Sequence, residues 1–548
     1  KSENKTKEME KGESNMSEFE RGEKRLWSDY ADEDIQPNTQ QYLKKNRVAE
    51  LVEKFSYLFT GVYSFIDFSP VTNLQQMLFL CYMSHLHNKD EQVALYDFYA
   101  IYSKLIQQEY DLKNAKPENL GYTNVVPTVE LKHHAFSSTM CKMIGDKIKT
   151  VLTANTGNSD KWLKERLKTY AKHFDASLLA TFKASGRFPD HPLGKDEYVK
   201  KSKMHKEILY LQHEGVIGSH PITDIDKILS YIDLKFDSRF MVYLFSKNQM
   251  TGKREIFVLG TPARLAIFFF ETISRIIGEM LPNELLTKAQ MKIQKSSAHY
   301  KKVVEILKRK KDTAQISNSC SDDASTWCQM FTMPVFARMM QRVLPDDLFK
   351  ITCRILNMHT RKKLELPKEL IEEFAKHIEI YNYDINMRIL KEQYLGLSHE
   401  NNIIEKPFSR FVTNKSNMMQ GILHYTSSIL HSGYLLIYED FCKALLRDWK
   451  NKDRLPQECE LIIETKETSD DSSCLRTMIY NRNLAGKDVI KITHFLTFLA
   501  YVKRAGYPHF SAKHSIPKST SAAFNKIEEF NSVWIIDNKL EIPNLKFH

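Results

Sequence analysis

Two strand-like runs, Glu460-Leu461-Ile462-Ile463-Glu464 and Leu475-Arg476-Thr477-Met478-Ile479-Tyr480, flank a short segment centred on Asp470-Asp471. Apolar and β-branched residues broken by turn formers predict an antiparallel hairpin. A hairpin tip holds its side chains with little freedom, which suits a metal site. The small neighbours Ser469, Ser472 and Ser473 leave room beside the acidic pair. Taken alone, Ser469-Asp470-Asp471 is also an ordinary turn, because Asp and Ser are standard turn formers.

Around this hairpin the chain alternates irregularly between helical and strand-like stretches. Phe240–Phe245 and Glu255–Leu259 predict a second strand pair, joined by the basic loop Ser246–Arg254. Helix is expected to about Lys311, strongly basic from Lys295 onward and read as solvated surface. A strand-like turn follows at Ser319–Trp327. Helices then run to about Arg354 and from Pro367 to Leu395, one opens at Gln420-Gly421, and another covers Ile490 to Lys503. Val533–Ile536 and Leu540–Ile542 form a last strand pair. Towards the start, helical periodicity dominates from Asn46 to Tyr110 and from Asp160 to Lys183, with a loop at Ser185–Pro192. Helices and short strands without βα alternation make an α+β fold.

The 548 residues are too many for one simple domain. A net charge of +11 suits a polyanionic partner. Eight cysteines without a CxxC pair argue against zinc and against a disulfide framework. The most apolar helix candidate, Pro262 to Leu281, is interrupted by Arg264, Glu271 and Arg275, so no membrane span is expected. Residues 1–40, rich in Lys, Glu, Ser and Asn, read as a mobile charged segment.

Joining a nucleotide to a growing strand requires a deprotonated 3′-oxygen and an expelled pyrophosphate. Two divalent cations about 4 Å apart stabilise both oxygens, and hard cations favour carboxylate oxygen. Asp470 and Asp471 are one candidate source. Asp323, in Asp322-Asp323-Ala324-Ser325-Thr326-Trp327, is another, although an Asp ahead of an apolar helix is also a common cap. Lys247, Lys253 and Arg254 surround a Gly-containing hairpin loop suited to a triphosphate, with Arg254 able to make forked contacts. Ser416 to Ser428 joins a Gly loop to a polar helix face. Lys518, after a Pro, is a candidate proton donor to pyrophosphate.

The order of these pieces says more than any one of them. Basic hairpin, DxxxW, Gln-Gly helix, SDD, Lys-Ser and Glu529-Phe530-Asn531-Ser532 follow one another across residues 247–532. The succession resembles motifs F, A, B, C, D and E of viral RNA-dependent RNA polymerases. The SDD form resembles those of segmented negative-strand viruses, and Gln420-Gly421 with Thr426-Ser427-Ser428 and Glu529–Ser532 resembles the bunyavirus large (L) protein. The run Met418-Met419-Gln420-Gly421-Ile422-Leu423-His424-Tyr425 is most similar to the nairoviruses, the Crimean-Congo haemorrhagic fever group.

The resemblance implies a right-hand polymerase fold with helical fingers and an antiparallel-sheet palm, its thumb largely absent. Residues 41–318 would be fingers and supporting helices, including the basic hairpin 240–260. Residues 319–548 would be palm, with a helical fingers insertion around 355–410. It implies two Mg2+ or Mn2+ ions held by Asp323 and Asp470, with Asp471 and Glu529 assisting. Lys247, Lys253 and Arg254 would bind the incoming triphosphate, and Gln420 and Gly421 would form a moving loop. Ser427 or Ser428 would face the ribose, and Lys518 would be the acid. Implied partners are template and nascent RNA, nucleoside triphosphates, nucleoprotein-coated viral RNA and the rest of the large protein, in host cytoplasm and virion. A cap-snatching endonuclease is not recognised near Pro189-Asp190, so the piece is expected to begin after that domain. Two positions depart from the pattern: Thr326 stands where Lys is common, and Thr251-Gly252 where a Gly pair is frequent. A non-catalytic RNA-binding scaffold is the alternative reading.

Overall fold

The acidic turn lies at the end of a four-stranded antiparallel sheet. The computed structural model describes residues 95–114, 134–174, 203–247, 254–376, 384–398, 403–523, 527–530, 533–536 and 539–541. The expected charged segment at 1–40, the helical stretch before 95, the loop at 185–192 and Lys253 lie outside the described residues.

Three sheets are described. The first joins β1 (Met241–Lys247), β2 (Arg254–Leu259), β4 (Lys363–Glu365) and β5 (Phe411–Thr413) in the order β2-β1-β4-β5. The second, which carries the acidic turn, joins β3 (Thr313–Asp322), β6 (Glu460–Thr468), β7 (Asp471–Asn481) and β8 (Thr520–Ala523) in the order β6-β7-β3-β8. The third is a meander of β9 (Ile527–Phe530), β10 (Val533–Ile536) and β11 (Lys539–Glu541). With helices throughout the rest, the fold is α+β.

Helices α3 (Met291–Arg309), α4 (His424–Asn451) and α5 (Gly486–Ala505) pack on the acidic sheet, while α1 (Leu95–Asn114) packs near β1 and α2 (Thr261–Gly278) against α4. Strand alternation explains how the sheet is covered. Cys320, Cys474 and Met478 pack on one face against Tyr438 and Cys442 of α4 and Phe495 and Leu499 of α5. Ile462 and Ile479 pack on the other face against Val303 of α3. Helix α2 is buried nearly all round, as a helix with so few polar residues must be, and Pro262 in its first turn costs no hydrogen bond there.

Several boundaries differ from expectation. Strand β3 begins at Thr313, six residues before Ser319, so the expected division at 318/319 falls inside it. Its first half is polar and carries little apolar signal; it is held by pairing with β7 from Thr313↔Asn481 onward. The single helix expected over 367–395 is two, Lys368–Lys376 and Ile385–Tyr394. Asp384 starts the second by accepting from the backbone N–H groups of Asn386 and Met387. Helix α4 opens at His424 rather than at Gln420-Gly421. The seven cysteines among the described residues are all free thiols.

Candidate active site at the Ser469-Asp470-Asp471 turn

The hairpin closes tightly. Thr468 pairs with Asp471, leaving Ser469 and Asp470 as a two-residue turn. Of these two only Ser469 has a positive φ, 62°, the pattern of a type II′ turn in which Gly is usual. The turn is held from below by α4. His431 Nδ1–H donates to the Ser469 carbonyl at 2.9 Å, and burial pulls this imidazole down to about 3, so it stays neutral. Ser427 Oγ lies 3.4 Å from Ser469 Oγ. Ser428 Oγ lies 3.0 Å from carboxylate oxygens of both Glu284 and Glu467. Burial pushes both of these carboxyls up, and the Glu284 charge adds to the shift of Glu467. Ser427 and Ser428 are both fully buried. Their hydroxyls therefore support the turn from beneath rather than lie on an open face where a ribose would sit.

The register of β3 against β7 brings the other acidic segment to the same place. Asp322 pairs with Ser472 as the last pair of the ladder. Asp323 and Asp471 each adjoin that last pair, one residue beyond it on their own strands. Alternation sends Asp322 and Asp323 to opposite faces, and their surroundings differ accordingly. Asp322 is buried, with Lys503 Nζ at 2.8 Å, Arg504 at 2.9 Å and His514 Nε2 at 3.1 Å. Burial pushes its carboxyl up, but the charges of Lys503 and Arg504 and the hydrogen bond with His514 hold it well below the usual range. Asp323 remains partly exposed, with Lys518 Nζ 3.4 Å from its Oδ2. Its backbone N–H donates to Ser519 Oγ at 3.1 Å, and its carbonyl accepts from Ser515 N–H at 2.9 Å. The Lys518-Ser519 segment is thus fastened directly to Asp323.

The Gln420-Gly421 loop adjoins this centre. Asn417, Met419 and Gly421 have φ of 65°, 66° and 79°. The Met418 N–H donates to the Cys328 carbonyl at 2.9 Å, one residue beyond the buried Trp327. Helix α4 then begins against α2, where half-buried Glu271 accepts from the N–H groups of Tyr425 and Thr426 at 2.8 and 3.1 Å. Burial pushes the Glu271 carboxyl up to about 7 despite these donors. A Cβ on Gly421 would meet nothing within 4 Å, so only its backbone conformation demands Gly. Gly421→Ala is expected to cost about 1 kcal/mol through that strain alone. Chemical denaturation reads this as a lower midpoint at unchanged slope, and an unchanged midpoint would mean the left-handed conformation is not imposed.

In the basic hairpin, the backbones of Lys247 and Arg254 pair across the strands at the loop end. The hairpin is tied to the Asp323 segment through Glu255, which accepts from the Gln329 side-chain amide. Glu529 stands in β9, its backbone opposite Trp534. Thr326 is exposed and left-handed, and its hydroxyl bonds the adjacent Ser325 carbonyl.

Thus the structure gathers Asp323, Asp470, Asp471 and Lys518 at one sheet end, with Ser427 and Ser428 beneath. Sequence reasoning missed Lys292 on α3, whose burial-lowered ammonium is held up by the Asp471 charge. It also missed His431, which lies seven residues into α4 with no local signal. The donor chemistry fits a hard divalent cation: Asp323, Asp470 and Asp471 all retain some solvent access. Among the described residues no three His, Cys, Asp or Glu side chains converge as a preformed cage. An open set of this kind suits an ion that takes its remaining oxygens from phosphates and water.

The site thus combines a carboxylate-bearing hairpin, a second carboxylate at the end of the adjoining strand and a left-handed Gly loop. Residues 196–541 match the family described as Bunyavirus RNA dependent RNA polymerase, and the chain belongs to that family. Similar proteins include the RNA-directed RNA polymerase L of Uukuniemi virus, 25% identical over 89% of this chain and 22% of that protein. Those of Toscana virus and Dabie bandavirus are each 26% identical, over 76% and 87% of this chain. The chain spans 22% of the Uukuniemi and Dabie proteins and 19% of the Toscana protein.

Proposed function

We propose that this chain carries the catalytic centre of an RNA-directed RNA polymerase, joining nucleoside triphosphates on a single-stranded viral RNA template for replication and transcription. The observation that carries the reading is the β3–β7 ladder, which ends at Asp322↔Ser472 and so leaves Asp323 and Asp471 next to its last pair, while Lys518 contacts Asp323. Family membership supports it.

Asp323 and Asp470, assisted by Asp471 and Glu529, would hold two Mg2+ or Mn2+ ions. When bound, such ions supply charge neutralisation at the attacking and leaving oxygens. The chain's own residues do the remaining work. Lys247, Lys253 and Arg254 would take the triphosphate. Gln420 and Gly421 form the loop beside the template and nascent pair. Ser427 and Ser428 act by fixing the turn from beneath. Lys518, exposed beside Asp323, can turn to protonate the leaving pyrophosphate. Lys518→Met is expected to slow addition about 100-fold with unchanged thermal stability, because it removes a proton donor and only a solvent-exposed pair. Single-turnover kinetics with RNA already bound reads this, and a wild-type rate would remove Lys518 from the mechanism.

The acidic sheet would be the palm of a right-hand fold, beginning with β3 at Thr313, with fingers and their supporting helices before it. Nascent RNA, nucleoprotein-coated template and the remainder of a large protein would be its partners, in host cytoplasm and virion. No helix among the described residues is long and apolar enough to cross a membrane. The finer nairovirus assignment rests on the Met418–Tyr425 run alone. The test is extension of a primed RNA by the polypeptide that carries this chain. Product complementary to the template is expected. RNA binding without extension would favour the scaffold.

A further inference from the structure

The Gln420-Gly421 loop contains two left-handed non-Gly residues, Asn417 and Met419, within five positions. Such backbone persists only where its surroundings over-determine it. Part of that constraint is local: Asn417 Oδ1 accepts from the Met419 N–H at 2.7 Å. The rest comes from far along the chain. Glu109 on α1, 9% exposed, points its carboxylate at the root of the loop. It accepts from Asn414 Nδ2 at 2.7 Å, Lys415 N–H at 3.0 Å, Ser416 N–H at 2.8 Å and Ser416 Oγ at 2.6 Å. Successive N–H groups converging on one carboxylate form the same kind of anion nest that phosphate-binding loops use.

Lys362, fully buried, completes the root. Its Nζ donates to the Ser416 carbonyl at 2.6 Å, and its own carbonyl accepts from Asn414 N–H at 3.0 Å. Burial pulls this ammonium down to about 7, and the Glu109 charge opposes the shift. Helix α1 is itself fixed elsewhere: Tyr102 donates to the Glu365 carbonyl at 2.7 Å, and Asn386 donates to the Ser103 carbonyl at 3.2 Å. The loop is therefore held at its root by Glu109 and Lys362. In its middle it is held by the bond from Met418 to Cys328, five residues beyond Asp323.

We propose that Glu109 is a positioning residue for nucleotide addition, latching with Lys362 the root of the Gln420-Gly421 loop so that the loop and the Asp323 segment keep one geometry. The inference rests on the polymerase reading. Glu109 touches no substrate and acts through Lys415 and Ser416.

The test is Glu109→Gln in the polypeptide that carries this chain. An amide of the same shape presents one carbonyl and an N–H2 to a cluster that consists of donors. The rate constant of single-nucleotide addition is expected to fall about 10- to 100-fold. KM for the nucleotide and RNA affinity should stay near wild type, while the thermal midpoint falls because buried donors lose a charged acceptor. Glu109→Asp should recover part of the rate. Trypsin should cut faster after exposed Lys415 in the Gln variant, a readout independent of activity. Ser103→Ala, which removes the hydroxyl contacts to Asp384 and Asn386 but keeps the Asn386 bond to the Ser103 carbonyl, should change neither the rate nor the cleavage. If Glu109→Gln does not fold, Ser416→Ala, which deletes only the hydroxyl part of the latch, is expected to lose about threefold in rate. Wild-type rate and wild-type cleavage at Lys415 in the folded variants overturn the latch. Absence of extension by the wild-type protein overturns the polymerase reading instead, and the cleavage readout then still judges the latch.

Discussion

Asp470→Asn is expected to abolish nucleotide addition while leaving template RNA binding in place. The substitution is nearly isosteric and sits in the turn itself. The pairs that hold the hairpin, Thr468↔Asp471 and the ladder behind it, involve backbone groups that the change does not touch. The supports beneath, His431 on the Ser469 carbonyl and Ser427 beside Ser469 Oγ, also remain. What is lost is one negative charge at the point where two acidic strand ends meet. A neutral amide is a poor ligand for a hard cation. Removing one preorganised electrostatic contact at a reacting centre typically costs at least about 10²–10³-fold. Extension of a labelled primer, with RNA affinity measured in parallel, checks both halves. Loss of RNA binding together with activity would mean that the hairpin had collapsed.

Asp322→Ala is expected to act on folding, although Asp322 adjoins a catalytic candidate. Its carboxylate is fully buried, and so is its partner Lys503, while Arg504 and His514 close the cluster. Breaking a buried pair by removing one member leaves the other charge desolvated, at about 3–5 kcal/mol. The cluster also joins β3 to α5, so its loss would loosen the strand that carries Asp323. Thermal or denaturant unfolding reads the change, and a midpoint equal to wild type would contradict it. The pH dependence has a definite sign. The folded-state pKa of Asp322 lies below its ordinary value of 3.8. Its contribution is therefore fully present above about pH 4 and is lost as pH falls through the depressed folded value. Asp323→Asn should show the opposite profile: little change in stability and loss of chemistry.

The contrast between these neighbours marks how much could be read from residue order. Both are Asp, and no propensity distinguishes them. Spacing to Trp327 singled out Asp323, and strand alternation supplies the physical reason, sending one side chain to Lys503 and the other to Lys518. The hairpin was legible because two runs with apolar residues flank turn formers, and the fold pairs Leu461 with Met478. The first half of β3 was not, since Thr313, Gln315, Ser317 and Asn318 owe their strand to pairing with β7. Ser427 and Ser428 looked like a polar helix face. In the fold that face is interior, turned to Glu284, Glu467 and the underside of the turn. Glu271 looked like a break in an apolar helix, and its work as a cap for α4 depends on a contact 154 residues away. Glu109, Lys292 and Lys503 depend on contacts equally remote, so nothing near them in the chain announces them.

The central claim is that Asp323 and the Asp470-Asp471 turn act as one divalent-metal centre for RNA synthesis. Its most direct measurement is primed RNA extension by the polypeptide that carries this chain, titrated with Mg2+ or Mn2+, for wild type, Asp323→Asn and Asp470→Asn at matched folded concentration. The account predicts template-directed extension that requires the cation in the wild type and none from either variant at any cation concentration. Extension by Asp323→Asn or Asp470→Asn at the wild-type rate, or extension that persists in excess chelator, would contradict it.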